Sequence, residues 1–406
     1  MNPMVPVVPH APAPPAGGPS ERLMSLDAFR GAIMMLMASA GLGVSQAAKE
    51  FPDSAWWRFF GHQCEHSAWA GCTLWDLIQP AFMFMVGVAL PWSIANRQAR
   101  GQSFLMMLGH AVWRALALVL LGVFLTSAWS QRTDWSFPIV LAQIGLGYAF
   151  LFLVGFMKPG LQWVVAFSLL VAYWFAFATH PLPLPGFDWK AVGVPDDWPH
   201  LDGFSAHWEK NANFAATFDL WFLNRFPRGV PFTHNAGGYQ TLNFIPSLAT
   251  MTFGLIAGRW LRAEVPLAGK LRWLTLAGLG GIVLGKLLEL MRICTIIKPI
   301  WTPSWALFSA GIVAILLAGF VALIDGRGWR RWAFPLVVAG MNPTALYCLW
   351  QLSSGFVRET IKTHLGQDIF QTFGILYVPA LQRASTLMIF WLILWWMYRR
   401  RIFLRI

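Results

Sequence analysis

Residues 303–324 read PSWALFSAGIVAILLAGFVALI, a stretch of 22 residues without a charged side chain. As an α-helix that rises 1.5 Å per residue it would extend about 33 Å, enough to cross the hydrocarbon core of a bilayer. Similar apolar windows occur near 24–46, 75–97, 104–127, 137–157, 160–179, 239–262, 270–290, 332–352 and 384–401. We therefore expect an all-α polytopic membrane protein, a bundle of about ten transmembrane helices.

The composition supports this fold class. The chain is 57% hydrophobic and 12% charged, whereas charged residues make up about a quarter of a soluble domain. Its formal net charge of +12 comes from short arginine and lysine clusters between the apolar windows and not from one basic face, so we expect no nucleic-acid partner. Those clusters follow alternate windows, which predicts that both termini are cytoplasmic.

The regions outside the windows define the domain organisation. Residues 1–21 are rich in proline and lack an apolar segment, which predicts a disordered cytoplasmic tail and not a cleaved signal peptide. Residues 22–406 form the predicted transmembrane domain. Its loops at 47–74, 180–238 and 353–383 are expected outside the cytoplasm, and the length of the loop at 180–238 is typical of a functional segment.

Proline occurs in or beside several windows. A proline in the interior of a helix frees a carbonyl group, which a membrane tolerates only where a neighbouring helix or a polar cavity satisfies it. We therefore expect a polar interior and several proline-interrupted spans, at Pro80, Pro91, Pro138, Pro246, Pro335 and Pro343.

The densest group of polar residues runs from His66 to Pro80, where the first outer loop meets the second window. An acid in a span faces the bundle interior and suggests a function, which makes Asp76 a candidate. Asp76 would also serve as a cap if it closed a capping box with Thr73. His66 is either a general base that titrates near neutral pH or a solvated histidine at the membrane surface.

The same region contains a pattern that resembles metal ligands. His62, Cys64 and His66 are two residues apart, a spacing that suits a strand or an irregular loop, and no second ligand cluster follows. The four cysteines are too few and too scattered for a disulfide scaffold or a zinc ribbon. We expect no metal.

Two stretches carry a more specific pattern. The first is RLMSLDAFRG at 22–31, and the second is H-x-x-W-x-G-x-T-x-x-D-L-x-x-P-x-F-x-F-x-x-G at 66–87. In this order they resemble the heparan-α-glucosaminide N-acetyltransferase family and its bacterial NagX-like relatives. Weaker similarity continues to the C-terminus, so the resemblance covers about residues 22–406.

The resemblance implies an acyl-CoA-dependent N- or O-acetyltransferase in a bacterial inner membrane. Such a protein would take an acetyl group from cytoplasmic acetyl-CoA and transfer it to a sugar, either an amino sugar or a glycan, on the other side. His66 matches the active-site histidine of the family. A carbohydrate acceptor, membrane lipid and a homodimer are then the expected partners.

Further residues are assigned to this site as hypotheses. Asp76 would orient His66, and Asn342 would donate to the developing oxyanion. Arg30 and Arg114 lie on spans near the cytoplasm and would hold the CoA phosphates, although Arg30 would instead form a helical salt bridge if it paired with Asp27.

Three more residues complete the predicted site. Gln143 matches the glutamine of the fourth span and is assigned to the cofactor, while Trp69 and Gln79 are assigned to the sugar. Two regions depart from the family: residues 40–43 replace an asparagine, and Ile144 replaces an arginine.

Two other classes of protein also fit the sequence. Ten interrupted spans would suit a transporter or flippase for a small molecule or a lipid-linked glycan. Buried polar residues such as Lys286 and Glu289 would suit a structural membrane subunit, in which they join helices. Turnover of a thioester distinguishes an enzyme from both.

Overall fold

The computed structural model describes residues 23–404 and contains no β-strand in that range. The predicted tail at 1–21 lies outside the described residues. The helices are α1 Met24–Ala38, α2 Val44–Lys49, α3 Ala55–Gln63, α4 Ile78–Ala99, α5 Phe104–Ser127, α6 Val140–Val154, α7 Pro159–Ala178, α8 Phe214–Leu223, α9 Phe244–Arg262, α10 Leu267–Leu290, α11 Pro303–Phe320, α12 Phe334–Met341, α13 Pro343–Leu365 and α14 Val378–Arg399.

Seven helical segments of the described chain are long and apolar enough to cross a membrane, and the bent pair at 24–49 makes an eighth. The all-α polytopic fold is therefore confirmed, with fewer full-length spans than the ten predicted. The window at 137–157 forms α6, which has only 15 residues. The window at 332–352 divides at Asn342, because the residue before a proline is disfavoured in helical geometry.

The prolines lie mostly at the beginnings of helices. The first turn of a helix tolerates proline because its N–H groups have no partner within the helix. Pro91 alone of the six lies in a helix interior, in α4. The other five precede or begin α4, α6, α9, α12 and α13, at Pro80, Pro138, Pro246, Pro335 and Pro343.

Small residues bring the central helices close together. A side chain at Gly87 of α4 would collide with the carbonyl oxygen of Met251 in α9, and one at Gly254 of α9 would collide with the carbonyl oxygen of Phe84. Contact of this kind is how membrane helices gain packing energy in a solvent as apolar as themselves. As a result, 89% of the apolar window in Thr241–Arg262 is buried at the centre of the bundle.

The two ends of the bundle differ in charge. At one end, here called the arginine end, the Arg259 guanidinium donates to the carbonyls of Gly155 and Met157. The opposite end, called the His66 end, carries the connections at 50–74, 179–240 and 291–302. The basic clusters found in the sequence lie at the arginine end, at Arg97, Arg100, Lys158, Arg259, Arg262, Lys270, Arg272, Arg327, Arg330, Arg331, Arg399, Arg400 and Arg401.

Residues 179–240, called the cap, form an ordered layer over the His66 end. The side chain of Trp208, one of its residues, is fully buried. The buried Glu209 carboxylate accepts hydrogen bonds from Trp198 Nε1 at 2.9 Å and from the Leu201 amide at 2.7 Å. The long loop predicted at 180–238 is therefore an ordered part of the structure, held by hydrogen bonds among its own residues.

Asp219 in α8 gives the cap a pH-dependent contribution to stability. Its Oδ2 accepts from the Thr241 amide at 2.8 Å, whereas its Oδ1 is buried without a partner among the described residues. Burial raises the pKa of Asp219 from 3.8 to about 6. The folded chain thus keeps a proton that the unfolded chain releases, so this stabilisation is present below about pH 4 and lost as the pH rises through about 6.

We therefore expect Asp219→Asn to raise the Tm of the detergent-solubilised protein above pH 7 and to leave it unchanged near pH 4. The amide keeps an acceptor for Thr241 and removes the cost of a buried charge, which is about 3 kcal/mol for a shift of two pKa units. Thermal unfolding of both proteins across this pH range measures the difference. A difference in Tm that does not change with pH would contradict the assignment.

Candidate functional site

Three ionisable side chains meet at the His66 end and are called the His66 triad: His66, Asp76 and Lys298. His66 Nδ1 lies 2.7 Å from Asp76 Oδ1, and Lys298 Nζ lies 3.0 Å from His66 Nδ1 and 3.2 Å from Asp76 Oδ1. The side chains of Asp76 and Lys298 are 0% and 5% exposed, whereas that of His66 is 49% exposed. The site is thus an accessible imidazole in contact with a buried ion pair.

The carboxylate of Asp76 is fixed by the start of its own helical segment. Its Oδ2 accepts from the Ser67 amide, the Thr73 amide and the Thr73 hydroxyl, each at 3.1 Å. Thr73 Oγ1 lies 3.4 Å from the Asp76 amide, which completes the capping box expected from the sequence. Asp76 therefore caps the helix with one oxygen and contacts the histidine with the other.

Lys298 reaches the site through pairing of two distant loops. Ala70 forms a β-bridge with Ile297, and the Gly71 amide donates to the carbonyl of Ile296 at 2.9 Å. Burial lowers the pKa of Lys298 below its ordinary value, although the neighbouring Asp76 carboxylate acts in the opposite direction. Sequence reasoning missed Lys298, because nothing in the 291–302 segment indicates which loop it contacts.

The short contact between His66 and Asp76 assigns the proton on the ring. A separation of 2.7 Å fits an Nδ1–H group that donates to a carboxylate, while two bare acceptors at this distance would repel each other. Nε2 then carries the lone pair. The accessible part of His66 is therefore able to accept a proton, which is what a general base requires.

The two residues assigned to the sugar are both buried. The Trp69 side chain is 4% exposed, and its Nε1 donates to the Trp208 carbonyl at 3.1 Å. Trp69 thus packs beneath the cap, and its contact with the substrate stays a prediction. Gln79 is 9% exposed and lies one turn after Asp76, on the same side of the helical segment.

Asn342 is held by the C-terminal segment, and its role as an oxyanion donor stays a prediction. It lies at the arginine end, where its Nδ2 donates to the Ile402 carbonyl and its Oδ1 accepts from the Leu404 amide, each at 2.9 Å. Both ends of the amide are thereby satisfied by the chain that follows α14. Asn342, at the break before Pro343, thus holds the C-terminal segment and is not in contact with the His66 triad.

A cavity of about 490 Å³ at the arginine end brings the predicted CoA ligands together. Arg30 and Arg114 both line it, and three further basic residues, Arg97, Arg100 and His110, share its wall. Among residues 23–404, no acidic side chain lines it. The cavity is therefore suited to a polyanion.

A second, narrower cavity of about 170 Å³ continues from the first into the bundle, and Arg30, Ser93 and Arg114 line both. Its wall is mainly apolar, and it reaches Phe82 and Val140. Phe82 follows Asp76 by six residues, which is about 9 Å along a helix, and precedes Arg97 by 15 residues, about 22 Å. The two cavities together lead from the arginine end towards the His66 triad.

The two arginines are held differently. Arg30 forms a salt bridge with Asp27 at 3.4 Å, which was the alternative to binding CoA phosphate. It also donates to the Gly340 carbonyl. Arg114 Nη1 donates to the Tyr148 hydroxyl at 3.0 Å, and its guanidinium lies 4.6 Å from the centre of the Tyr148 ring. Both guanidinium groups are thereby directed along the cavity wall.

Gln143 lies outside both cavities as the described residues define them. Its Nε2 donates to the carbonyls of Phe137 at 2.9 Å and Thr241 at 3.1 Å, so that it joins α6 to the start of α9. The predicted contact of Gln143 with the cofactor stays a prediction. The next residue, Ile144, lines the inner cavity instead.

The His62, Cys64 and His66 pattern does not assemble a metal site. In residues 23–404, no group of three or more histidine, cysteine, aspartate or glutamate side chains is arranged to hold an ion. All four cysteines are free thiols.

Comparison with known proteins gives the family relationship. No family model matches the chain. It is 24% identical to the heparan-alpha-glucosaminide N-acetyltransferases of Mus musculus and Homo sapiens, in alignments that cover 87% and 91% of this chain. The chain spans 58% and 60% of the length of these two relatives. It is a distant relative of the heparan-alpha-glucosaminide N-acetyltransferases.

Proposed function

We propose that the chain is a transmembrane acetyltransferase that binds acetyl-CoA at the arginine end and acetylates a sugar at the His66 end. The observation that carries this proposal is the path of the two cavities. They begin among arginines and end about two helical turns from Asp76, the buried carboxylate that contacts an accessible histidine.

The cavity at the arginine end suits the CoA nucleotide. CoA has three phosphate groups, and guanidinium groups bind phosphate through paired, charge-assisted hydrogen bonds. Arg30, Arg97, Arg100 and Arg114 supply four such groups. The narrow apolar continuation suits the extended pantetheine arm, which would carry the thioester towards the His66 triad.

The chemistry follows from the free Nε2 of His66. As the acceptor amine or hydroxyl attacks the thioester carbonyl, Nε2 takes its proton, the new N–C or O–C bond forms, and the C–S bond breaks. The imidazolium then returns the proton to the CoA thiolate. A covalent route, in which Nε2 first receives the acetyl group and the acceptor attacks acetyl-histidine, uses the same atom.

The acceptor is proposed from the relatives. Their name specifies a glucosaminide of heparan, and we propose an amino sugar or a glycan for this chain. The cap covers the His66 end and has partly exposed aromatic side chains, among them Trp189 and Trp198, and side chains of this amphipathic kind are suited to contact with a sugar.

The orientation follows from the charge asymmetry. Basic residues flanking spans are retained in the cytoplasm, so we assign the arginine end and both termini to the cytoplasm of a bacterial inner membrane. Cytoplasmic acetyl-CoA would then reach its cavity directly, while the acceptor would approach from the other side.

Arg114→Ala tests the donor site. We expect a rise in the KM for acetyl-CoA of about tenfold or more with a much smaller fall in kcat, because a guanidinium that binds phosphate contributes equally to the ground state and the transition state. Initial rates with glucosamine as the acceptor measure both constants. Arg262→Ala is the matched control, since Arg262 lies at the same end and outside the cavity. An unchanged KM in Arg114→Ala would remove this residue from the donor site.

A further inference from the structure

The triangle formed by the His66 triad cannot satisfy all of its contacts at once. Nδ1 of His66 lies within hydrogen-bonding distance of an oxygen of Asp76 and of the ammonium group of Lys298. One nitrogen either donates a proton to the carboxylate or accepts one from the lysine. The shorter contact, to Asp76, is the one that a protonated Nδ1 makes, which leaves Lys298 to donate to the same carboxylate oxygen at 3.2 Å.

This arrangement gives Lys298 an electrostatic effect on the ring. With a neutral imidazole, the positive charge of Lys298 balances the negative charge of Asp76 inside a buried site. When the ring gains a second proton, the triad carries a net positive charge, and two cations lie about 3 Å apart in a low dielectric. The ammonium group therefore disfavours a lasting imidazolium and favours release of its proton.

Few other charges face the triad. Burial raises the pKa of the Cys72 thiol and the Tyr239 phenol to about 12, so both are neutral at physiological pH. Tyr239 presents its ring to Lys298, with the ammonium group 5.8 Å from the ring centre. Lys286 acts on Cys72 from α10 but forms its own pair with Glu289 at 2.6 Å. Lys298 and Asp76 are thus the charged groups in contact with His66 in the described chain.

The loop that carries Lys298 is rigid enough to hold this geometry. The Trp301 amide donates to the Lys298 carbonyl at 2.8 Å, and the Tyr173 hydroxyl donates to the Ile300 carbonyl at 3.0 Å. Asn243 Nδ2 donates to the Pro299 carbonyl at 2.7 Å. Contacts with α7 and with the start of α9 therefore fix the lysine, as a supporting residue of a preorganised site requires.

We propose that Lys298 is a positioning residue, which keeps Asp76 ionised, holds His66 with Nε2 free, and drives the protonated ring to release its proton to the CoA thiolate. The inference rests on the proposed acetyl transfer and adds a residue 232 positions away from the histidine. Lys298 acts through His66 and is not required to touch the substrate.

The test compares Lys298→Met with Lys298→Arg in nanodiscs, using acetyl-CoA and glucosamine. We expect the acid limb of the kcat profile of Lys298→Met to move to higher pH by about one unit, because a neighbouring positive charge has been removed. That displacement lowers kcat about tenfold on the acid limb, while the KM for acetyl-CoA stays unchanged. Lys298→Arg should restore most of the wild-type profile, because it restores the charge.

A second readout needs no turnover. In protein labelled with ¹⁵N-histidine, the His66 resonances, identified by their loss in His66→Ala, should report protonation of the ring at a higher pH in Lys298→Met than in wild type. Lys286→Met is the matched control, since it removes a lysine at the same end that does not touch the ring, and it should leave both readouts unchanged.

Two results would overturn the role of Lys298. One is a wild-type titration of His66 in Lys298→Met. The other is a loss of activity with an unshifted pH profile that arginine does not restore, which would indicate a structural role alone. If the wild type itself transferred no acetyl group, the proposed function would fail, and the ¹⁵N titration would still decide whether Lys298 sets the protonation of His66.

Discussion

His66→Ala is expected to lower kcat for acetyl transfer by about 10²–10⁴-fold, the usual effect of losing a general base. The side chain is half exposed, so its removal leaves no large cavity in the core. The arginine cavity lies at the other end of the bundle, and we expect the affinity for acetyl-CoA to remain within about twofold of wild type. Initial rates and equilibrium binding of acetyl-CoA separate the two effects.

His62→Ala is the control for this experiment. His62 is an exposed histidine four residues earlier, at the end of α3, and it makes no contact with the triad. It should keep wild-type rates. Near-normal transfer by His66→Ala would exclude His66 as the base.

Asp76→Asn is expected to reduce kcat by about 10³-fold or more without unfolding the protein. The amide oxygen can still accept from the Thr73 amide, but the amide nitrogen would donate to His66 Nδ1 and force the ring into the other tautomer. Nε2 then carries the proton and cannot accept one; the same exchange in a serine protease triad costs about 10⁴-fold.

The matched control is Asp202→Asn, because the Asp202 side chain lies at the same end and is 85% exposed in its pair with Arg292. We expect it to be fully active. Comparison of kcat and Tm for the two variants distinguishes loss of catalysis from loss of the helix cap. An Asp76→Asn protein with kcat within about threefold of wild type would show that the carboxylate does not set the tautomer of His66.

The sequence predicts the parts of the site that are local. His66 and Asp76 are ten residues apart, and the turn between them brings their side chains to 2.7 Å. Arg30 and Arg114, which line the cavity at the arginine end, stood out in the sequence because a charge near the end of an apolar span is costly unless it has a function or a partner. The apolar windows likewise predict most of the spans, since hydrophobicity along one segment determines whether that segment can cross a bilayer.

The parts that were missed depend on long-range packing. Lys298 meets His66 only because residues 70–71 pair with residues 296–297, and no local pattern encodes that pairing. The partners of Asn342 could not be predicted, because they are backbone groups of Ile402 and Leu404, 60 and 62 residues further along the chain. Trp69 was assigned to the sugar from its place in the motif, which does not show that its side chain packs against the Trp208 carbonyl, 139 residues away.

Transfer across a sealed bilayer tests the central claim most directly. Proteoliposomes would hold glucosamine inside and receive acetyl-¹⁴C-CoA outside, with orientation established by labelling His200→Cys and Ala268→Cys proteins that lack the four native cysteines. For molecules whose arginine end faces outward, we predict acetylated glucosamine in the lumen. When acetyl-CoA is instead present only on the side of the His66 end, we predict no acetylated glucosamine. Labelled sugar on the donor side, or movement of unmodified glucosamine without thioester turnover, would contradict the account and favour a same-side enzyme or a transporter.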